Sequence, residues 1–429
     1  MTDAPSPPER AADAAPRRDP AAVAAAVVGL LTRLRIPVRA RDWHSLLGMF
    51  FALILMFLFV TGTLSVFGRE IDWLANPAQR VAALPSGKLS LGTSYDAARE
   101  GMPEATVVMI ERPAGPRTAD QVTVRLPDGA RRLILVDPYR GAVQGVTSPR
   151  TAWFTLRELH RALSSPSRKV QLAVSLMTVP LAVILVTSLL LYRRFWRGFF
   201  RLPRRGAGAR ALLGDLHRLI GCWALIFLVP LVLTSGQFMA ELLGYGPANY
   251  PAYMLPKTEQ APMPAAFSGS DVDRAVGTAK AAMPGLDVTE FMAPLDARMP
   301  IVLRGDMTAP LVRTVANSVY LDPVTLAPRG FHRAEDLSAG RRFSEAMRVI
   351  HFGNFAGLPS KLVWGIFGLV LSVLTALGAM IYAERLVFQS ERSAKVAARS
   401  RLGHVWAGMG LGKWVGLAML AFAAFTTLR

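Results

Sequence analysis

The sequence predicts a polytopic α-helical membrane protein that arose by internal duplication. The chain has 429 residues, 52% of them hydrophobic, and a mean hydropathy of +0.32. Four apolar runs are each long enough, at about 1.5 Å per residue, to cross a hydrocarbon core of about 30 Å. We therefore expect a bundle of four transmembrane helices. They cover residues 41–67, 170–192, 214–240 and 362–384.

A repeated motif indicates the duplication. RDWHSLLGMFFALILMFLFVTG at residues 41–62 returns as GDLHRLIGCWALIFLVPLVLTSG at residues 214–236. Both copies read Asp-x-His-x-Leu-(Leu/Ile)-Gly before an apolar run, and a Thr follows the His by 17 residues in each. The other two runs each follow a segment that contains a His, a Pro and a Lys. Each repeat therefore has the order helix, long loop, His, helix. The four histidines are His44, His160, His217 and His351.

Basic segments predict the orientation in the membrane. Residues 1–43 carry seven Arg, and residues 193–210 carry seven more. Short loops rich in Lys and Arg stay in the cytoplasm, whereas long loops are translocated largely regardless of charge. We expect a cytoplasmic N-terminus. The expected cytoplasmic segments are the tail 1–40, the loop 193–213 and the basic segment 385–404, and the expected external loops are 68–169 and 241–361.

The two long loops read as two similar α+β lobes. In the first, SYDAAREGMPEATVVMIERP predicts a helix, a turn and a strand, and QVTVRLPDGARRLILVDPYRGAVQGV predicts a hairpin around Pro-Asp-Gly followed by a strand. The second loop repeats this order. VDPYRGAVQG and LDPVTLAPRG occupy equivalent places in the two loops. A fifth span over residues 405–427 stays open, because Lys413 and several glycines dilute its first half.

These motifs resemble those of the PepSY-associated transmembrane family. The Asp-x-His-x-Leu-x-Gly openings and the VDPYRG and LDP strand ends carry the resemblance, which covers roughly residues 40–386. Members of this family are multi-pass proteins of the bacterial inner membrane, in which helix pairs bracket periplasmic PepSY-like modules. The family includes reductases that release iron from siderophores by means of haem bound in the helix bundle. The resemblance therefore implies two periplasmic PepSY-like lobes and a ferric siderophore or other ferric chelate as a partner.

The histidines independently indicate haem. By the predicted orientation, His44 and His217 lie at the cytoplasmic side and His160 and His351 at the outer side. A single His at a membrane face is unremarkable, but four in register make two pairs, and two imidazoles from two helices suit the axial positions of b-type haem. Zinc needs three or four ligands, and no Cys or carboxylate set accompanies the pairs. His332 and His404 fall outside the repeat, and we expect both at the surface.

Four arginines lie within three residues of a proposed ligand. A guanidinium suits a haem propionate, but the same positions suit the phosphate of a membrane lipid, and both alternatives stay open. Gly48 and Gly221 each follow a His by four residues, where a missing side chain leaves room for a macrocycle or for close helix packing. The four arginines are Arg41, Arg161, Arg218 and Arg348.

Other classes of protein find little support. The sequence has no P-loop, dinucleotide-binding, H-E-x-x-H or G-x-S-x-G motif. The cytoplasmic loops are too short for a flavin or nicotinamide domain, so an electron donor would be extrinsic, either a membrane quinol or a separate reductase. The net charge of +19 lies in segments that flank helices and not in a stripe interleaved with aromatics, so we expect no nucleic-acid partner.

Two functional hypotheses remain. The first is a di-haem reductase that passes electrons across the membrane to an external ferric chelate. The second is a non-catalytic, membrane-anchored protein whose PepSY-like lobes bind or regulate a partner and whose histidines are structural.

Overall fold

Helices and an antiparallel sheet form two separate parts of the structure. The computed structural model describes residues 39–204, 206, 208–247, 250, 253–257, 260–391 and 401–428. The predicted tail 1–40 lies largely outside these residues, as do residues 392–400 of the predicted basic segment 385–404. The helices are α1 (Ala40–Phe50), α2 (Ala52–Val66), α3 (Gly68–Ala75), α4 (Leu91–Gly101), α5 (Ala152–Ala162), α6 (Arg168–Ser175), α7 (Thr178–Leu191), α8 (Gly208–Leu242), α9 (Gly269–Ala282), α10 (Ala339–Phe352), α11 (Leu358–Glu391), α12 (Arg401–Gly408) and α13 (Gly412–Leu428).

The apolar helices form the membrane-spanning layer. In the described residues, three spans are long and apolar enough to cross a bilayer by themselves: α6 with α7, α8, and α11 up to Arg385. Two more qualify if each bent pair of helices, α1 with α2 and α12 with α13, counts as one span. Contacts of α1 with α7, α2 with α11, and α8 with both α7 and α11 join these helices into one layer. Its core consists of Leu55, Leu181, Leu185, Ala224, Phe227, Leu228 and Leu371.

The first predicted span is broken. The span predicted over residues 41–67 is made of two helices, since the chain bends by 66° at Phe51 between α1 and α2. At this bend α13 lies directly on the backbone, and a side chain on Gly412 would meet the Phe50 carbonyl oxygen at 2.0 Å. The C-terminal segment is not one straight span either, since α12 and α13 are bent by 94°. From the bend, α13 runs beside α2.

One eight-stranded sheet replaces the two separate lobes that the sequence predicts. All neighbouring strands are antiparallel, and their order is β4-β3-β2-β1-β5-β6-β7-β8, so two four-stranded meanders meet at β1 and β5. There, Ile110 is opposite Phe291, and the Arg112 N–H donates to the Thr289 carbonyl oxygen at 2.8 Å. The strands are β1 (Thr106–Glu111), β2 (Asp120–Arg125), β3 (Arg131–Val136), β4 (Val143–Thr147), β5 (Asp287–Met292), β6 (Ile301–Asp306), β7 (Ser318–Leu321) and β8 (Pro328–His332).

The two helices on the sheet also join the halves. α4 and α9 pack on the apolar face of the sheet, against buried residues such as Ile110 and Phe291. Their N-termini meet, and each accepts a cap from the other helix: the Gly92 N–H donates to Asp273 at 2.9 Å, and the Gly269 N–H donates to Asp96 at 2.6 Å. Carboxylates at helix N-termini are stabilising, so this exchange couples the two halves.

The carboxylate of Asp322, at the second Asp-Pro strand end, is held by several hydrogen bonds. Burial by itself would raise the pKa of Asp322, but the Thr325 and Val324 N–H groups and the Arg329 guanidinium outweigh it and lower the pKa to about 2. An Asp in an unfolded chain has a pKa of about 3.9. The folded protein therefore gains stability from this carboxylate above about pH 4 and loses it as the pH falls towards 2.

We expect Asp322→Asn to lower the free energy of unfolding by roughly 2 kcal/mol at pH 7 and to have little effect near pH 2. Thermal unfolding of the purified protein, followed by circular dichroism at several pH values, measures this. Asp128→Asn, in the exposed Pro-Asp-Gly turn, is the control. An equal loss of stability at both pH values would contradict the assignment.

Candidate functional site

The four repeat histidines lie in two pairs. His44 on α1 and His217 on α8 have ring centroids 6.3 Å apart and ring planes at 85°. His160 on α5 and His351 on α10 also have centroids 6.3 Å apart, with planes at 40°. We call His160 and His351 the sheet-side pair, because they line a cavity that reaches the sheet, and His44 and His217 the far pair.

The two pairs lie within a membrane thickness of each other. Thr234, which contacts the ring of His351, follows His217 by 17 residues in the same helix α8. At about 1.5 Å per residue this places the pairs about 25 Å apart along the helix, less than the hydrocarbon core of about 30 Å. The helices α5 and α10 end just after His160 and His351, in left-handed residues at Leu163 and Gly353.

Threonine hydroxyls set the tautomer of the sheet-side pair. Thr61 Oγ1 donates its single hydrogen to the Phe57 carbonyl oxygen at 2.8 Å, so it accepts the Nδ1–H of His160 at 3.3 Å. Thr234 Oγ1 likewise donates to the Leu231 carbonyl oxygen and accepts the Nδ1–H of His351 at 2.9 Å. An imidazole that carries its proton on Nδ1 has a free lone pair on Nε2, the form that binds a metal.

The far pair is less symmetrical. The Nδ1 of His44 lies 3.3 Å from Ser188 Oγ, and this hydroxyl donates to the Ile184 carbonyl oxygen, so His44 also has its proton on Nδ1. Nδ1 of His217 is buried and has no hydrogen-bond partner among the described residues. Gly378 of α11 passes over the ring of His217, where an added side-chain carbon would lie 3.3 Å from Cε1.

A cavity of about 2060 Å³ opens above and between the sheet-side histidines. Its lower part enters the helix layer between Leu55, Phe227 and Leu371, and its upper part reaches Glu111 and Glu290 on the polar face of the sheet. Its wall carries eleven Lys or Arg and eight Asp or Glu side chains, an excess of three positive charges. The cavity therefore connects a half-buried histidine pair with a polar chamber.

The residues fit a haem at each pair. The described part of the chain contains no group of three or more His, Cys, Asp or Glu side chains that could share a metal ion. Two imidazoles suffice for a metal whose other ligands come from a planar macrocycle. In both pairs the two rings come from different helices and their centroids lie 6.3 Å apart, so both imidazoles of a pair are available to one such group.

Glycines lie beside both pairs. Gly62 and Gly368 line the cavity at the sheet-side pair, and a side-chain carbon on Gly62 would come within 2.9 Å of the His160 ring. Near the far pair, a side-chain carbon on Gly48 would have no atom of the described residues within 4 Å, and one on Gly221 would lie 3.8 Å from Leu374 Cδ1. The two far-pair glycines therefore leave room for a flat ligand, whereas the space beside Gly62 is filled by the His160 ring and that beside Gly368 by the Thr63 side chain.

The four predicted arginines are all ion-paired in the structure. Arg161 holds Glu158 at 2.5 Å and Arg218 holds the buried Asp215 at 2.9 Å, whereas exposed Arg41 lies 3.9 Å from Asp42. Arg348 pairs with Glu241. Within the described part of the chain, the buried Nε atoms of Arg218 and Arg348 have no hydrogen-bond partner, so these two guanidinium groups retain a donor for a further anion. A role in holding haem propionates stays a prediction.

A polar network around α10 was not predicted. Glu345, 0% exposed, accepts from the Arg313 guanidinium at 2.7 and 2.8 Å, and Glu241 of α8 accepts from Ser344 and Arg348 of α10. Burial would raise the pKa of Glu345, but Arg313 outweighs it and lowers the pKa. The network holds α10, and hence His351, against α8. Its members are scattered along the sequence, and no spacing reveals them.

The two remaining histidines lie outside both pairs. The ring of His332 stacks on Tyr250, with centroids 4.8 Å apart, and its Nε2 lies 2.8 Å from the Val315 carbonyl oxygen. His404 is only 7% exposed. The expectation that both lie at the surface is therefore wrong for His404, because α12 packs against α11.

Comparisons with known proteins identify a family. A family model described as "PepSY-associated TM region" matches residues 41–385. This range contains both histidine pairs and the whole sheet, and it excludes α12 and α13. A search of curated proteins finds no match.

Proposed function

Since the chain belongs to the family of PepSY-associated transmembrane regions, we propose that it is a di-haem reductase of the bacterial inner membrane. It passes electrons across the membrane to a periplasmic ferric siderophore or other ferric chelate and thereby releases the iron. The observation that carries this proposal is the pair of imidazoles, at matching separations, near each end of one helix layer.

The proposed topology follows the basic segments. The N-terminus and the Arg-rich loop after α7 are cytoplasmic, and the sheet is periplasmic. The four spans up to α11 form a four-helix bundle derived from a duplicated unit of helix, long loop, His and helix. The equal spacing supports the duplication, because a Thr 17 residues after the first His contacts the second His of the same half in both halves.

Each histidine has a defined role in this proposal. His44 and His217 would hold one b-type haem, and His160 and His351 would hold the other. The haems supply reversible one-electron chemistry. Thr61, Thr234 and Ser188 keep the protons of their histidines on Nδ1, and the apolar residues between the pairs exclude water. No side chain needs to act as an acid or base, since outer-sphere electron transfer requires only proximity and a downhill potential.

The cavity is the proposed site of the ferric chelate. Its excess of three positive charges favours an anionic complex, and the chelate there would lie beside the sheet-side haem without entering the membrane. Reduction to Fe(II) releases the metal, because hard oxygen ligands bind Fe(III) more strongly than Fe(II). The electron donor is extrinsic, either a membrane quinol or a separate reductase.

We expect the purified protein to show the absorption spectrum of low-spin, bis-His b-type haem, which changes on reduction with dithionite. When the reduced protein is mixed anaerobically with a ferric siderophore and a ferrous-specific indicator, the haem should reoxidise as ferrous iron appears. A protein without haem absorbance, or a reduced haem that no ferric chelate reoxidises, would reject the reductase. The binding or regulatory function would then take its place.

A further inference from the structure

The turn after His160 has an uncommon backbone. Helix α5 ends at Ala162, and Leu163 and Ser164 follow with φ angles of 51° and 58°. The Leu163 and Ser164 N–H groups donate to Leu159 and Glu158 at 3.1 and 2.9 Å, which closes the helix end. Residues other than glycine rarely adopt this left-handed conformation. Two in succession therefore need support from their surroundings.

In the second half of the chain, the left-handed residue after the paired histidine is a glycine. Helix α10 ends at Phe352, and Gly353 adopts the left-handed conformation with a φ of 68°. Glycine takes this conformation without a steric penalty. The turn after His351 therefore depends less on neighbouring elements than the turn after His160.

The last turn of α13 contacts the turn after His160. Thr426 Oγ1 donates to the Leu163 carbonyl oxygen. Thr427 Oγ1 donates to the Ala423 carbonyl oxygen at 2.7 Å, so Ser164 Oγ donates to Thr427 Oγ1 at 2.8 Å. Both left-handed residues are thus bonded to α13.

Apolar packing supports the same contact. Ala423 of α13, 2% exposed, packs against Leu163 in a cluster that also contains Ile54 and Leu58 of α2. Close approach to α2 is possible because Gly412 and Gly416 have no side chain, and added carbons there would collide with Phe50 and Leu53. The helix α13 therefore lies along α2 and ends at the turn.

We propose that α13 is a positioning element for His160: it holds Leu163 and Ser164 in the left-handed conformation and so keeps the His160 ring in the sheet-side pair. This inference rests on the proposed function only where it concerns haem. It gives a role to a helix outside the matched family region, and it predicts that only one of the two halves depends on that helix.

The test removes the two hydroxyls with Thr426→Val/Thr427→Val, which keeps the side-chain shape. We expect amide hydrogen exchange over residues 158–165 to rise about tenfold, as two lost hydrogen bonds would allow, while residues 349–354 stay unchanged. The reduction potential of one haem should shift and that of the other should not. Adding Ser164→Gly should reverse both effects, because glycine tolerates the turn unaided. Thr375→Val, whose hydroxyl donates to Leu371 within its own helix, is the matched control.

Unchanged exchange over residues 158–165 in the double variant would overturn the proposal. So would faster exchange with both haem potentials unaltered. If the unmodified protein binds no haem, the reductase proposal fails, and the exchange measurement alone decides whether α13 holds the turn.

Discussion

Protein with His160→Ala is expected to retain about half of the haem of the unmodified protein and to lose reduction of ferric chelates. The sheet-side pair would keep only His351, and one imidazole rarely holds an exposed b-type haem firmly. The far pair lies about 25 Å away along α8, so its haem should remain. Haem content per protein, measured from the visible spectrum, gives the first result, and the ferrous indicator assay gives the second.

The reciprocal variants are the control for this experiment. His44→Ala or His217→Ala should also halve the haem content. These variants should lose the haem of the far pair and keep that of the sheet-side pair. The pairing is wrong if both far-pair variants keep both haems. It is also wrong if His160→Ala loses both haems.

Gly62→Ala is expected to remove the sheet-side haem as effectively as loss of its ligand. The added carbon would lie 2.9 Å from Cε1 and 3.2 Å from Nδ1 of His160. Such contacts are too short, so the ring must move away from Thr61 and from its partner His351. Haem content should therefore fall by about half, while the signal of the far haem stays unchanged.

The second half of the chain provides a matched control. Gly236 lies at nearly the same level of α8, but a side-chain carbon there would meet only Thr178 Cγ2, at 4.0 Å. Gly236→Ala makes the same chemical change in a similar helix without a collision, and we expect it to keep both haems. Equal haem loss in the two variants would mean that helix packing, and not the histidine, responds to the substitution.

The sequence predicts the positions of the histidines well because helix spacing is a local property. Seventeen residues separate a His from a Thr in each copy of the motif, and this spacing places the Thr near the other end of an apolar helix. The role of that Thr was not predictable, since its contact with His160 or His351 joins residues about a hundred positions apart.

The long-range features could not be predicted from spacing. The bend at Phe51 has no Pro or Gly at its centre, and it coincides with the packing of Gly412 from the far end of the chain. The carboxylate partners of Arg218 and Arg161 are close in sequence, but the Glu241 partner of Arg348 is not. A sequence pattern also cannot tell which strand edge remains open, so the two lobes were not recognised as one sheet.

The pairing of β1 with β5 means that neither half of the chain is an independent module. A half produced by itself would expose β1 or β5 as an unpaired strand at what is now the centre of the sheet. An open edge of this kind promotes association with other chains. The exchanged caps at Gly92 and Gly269 would be lost in the same step. The two halves therefore form a single folding unit, in which loss or replacement of one half would disturb the strand and the helix cap that the other half needs.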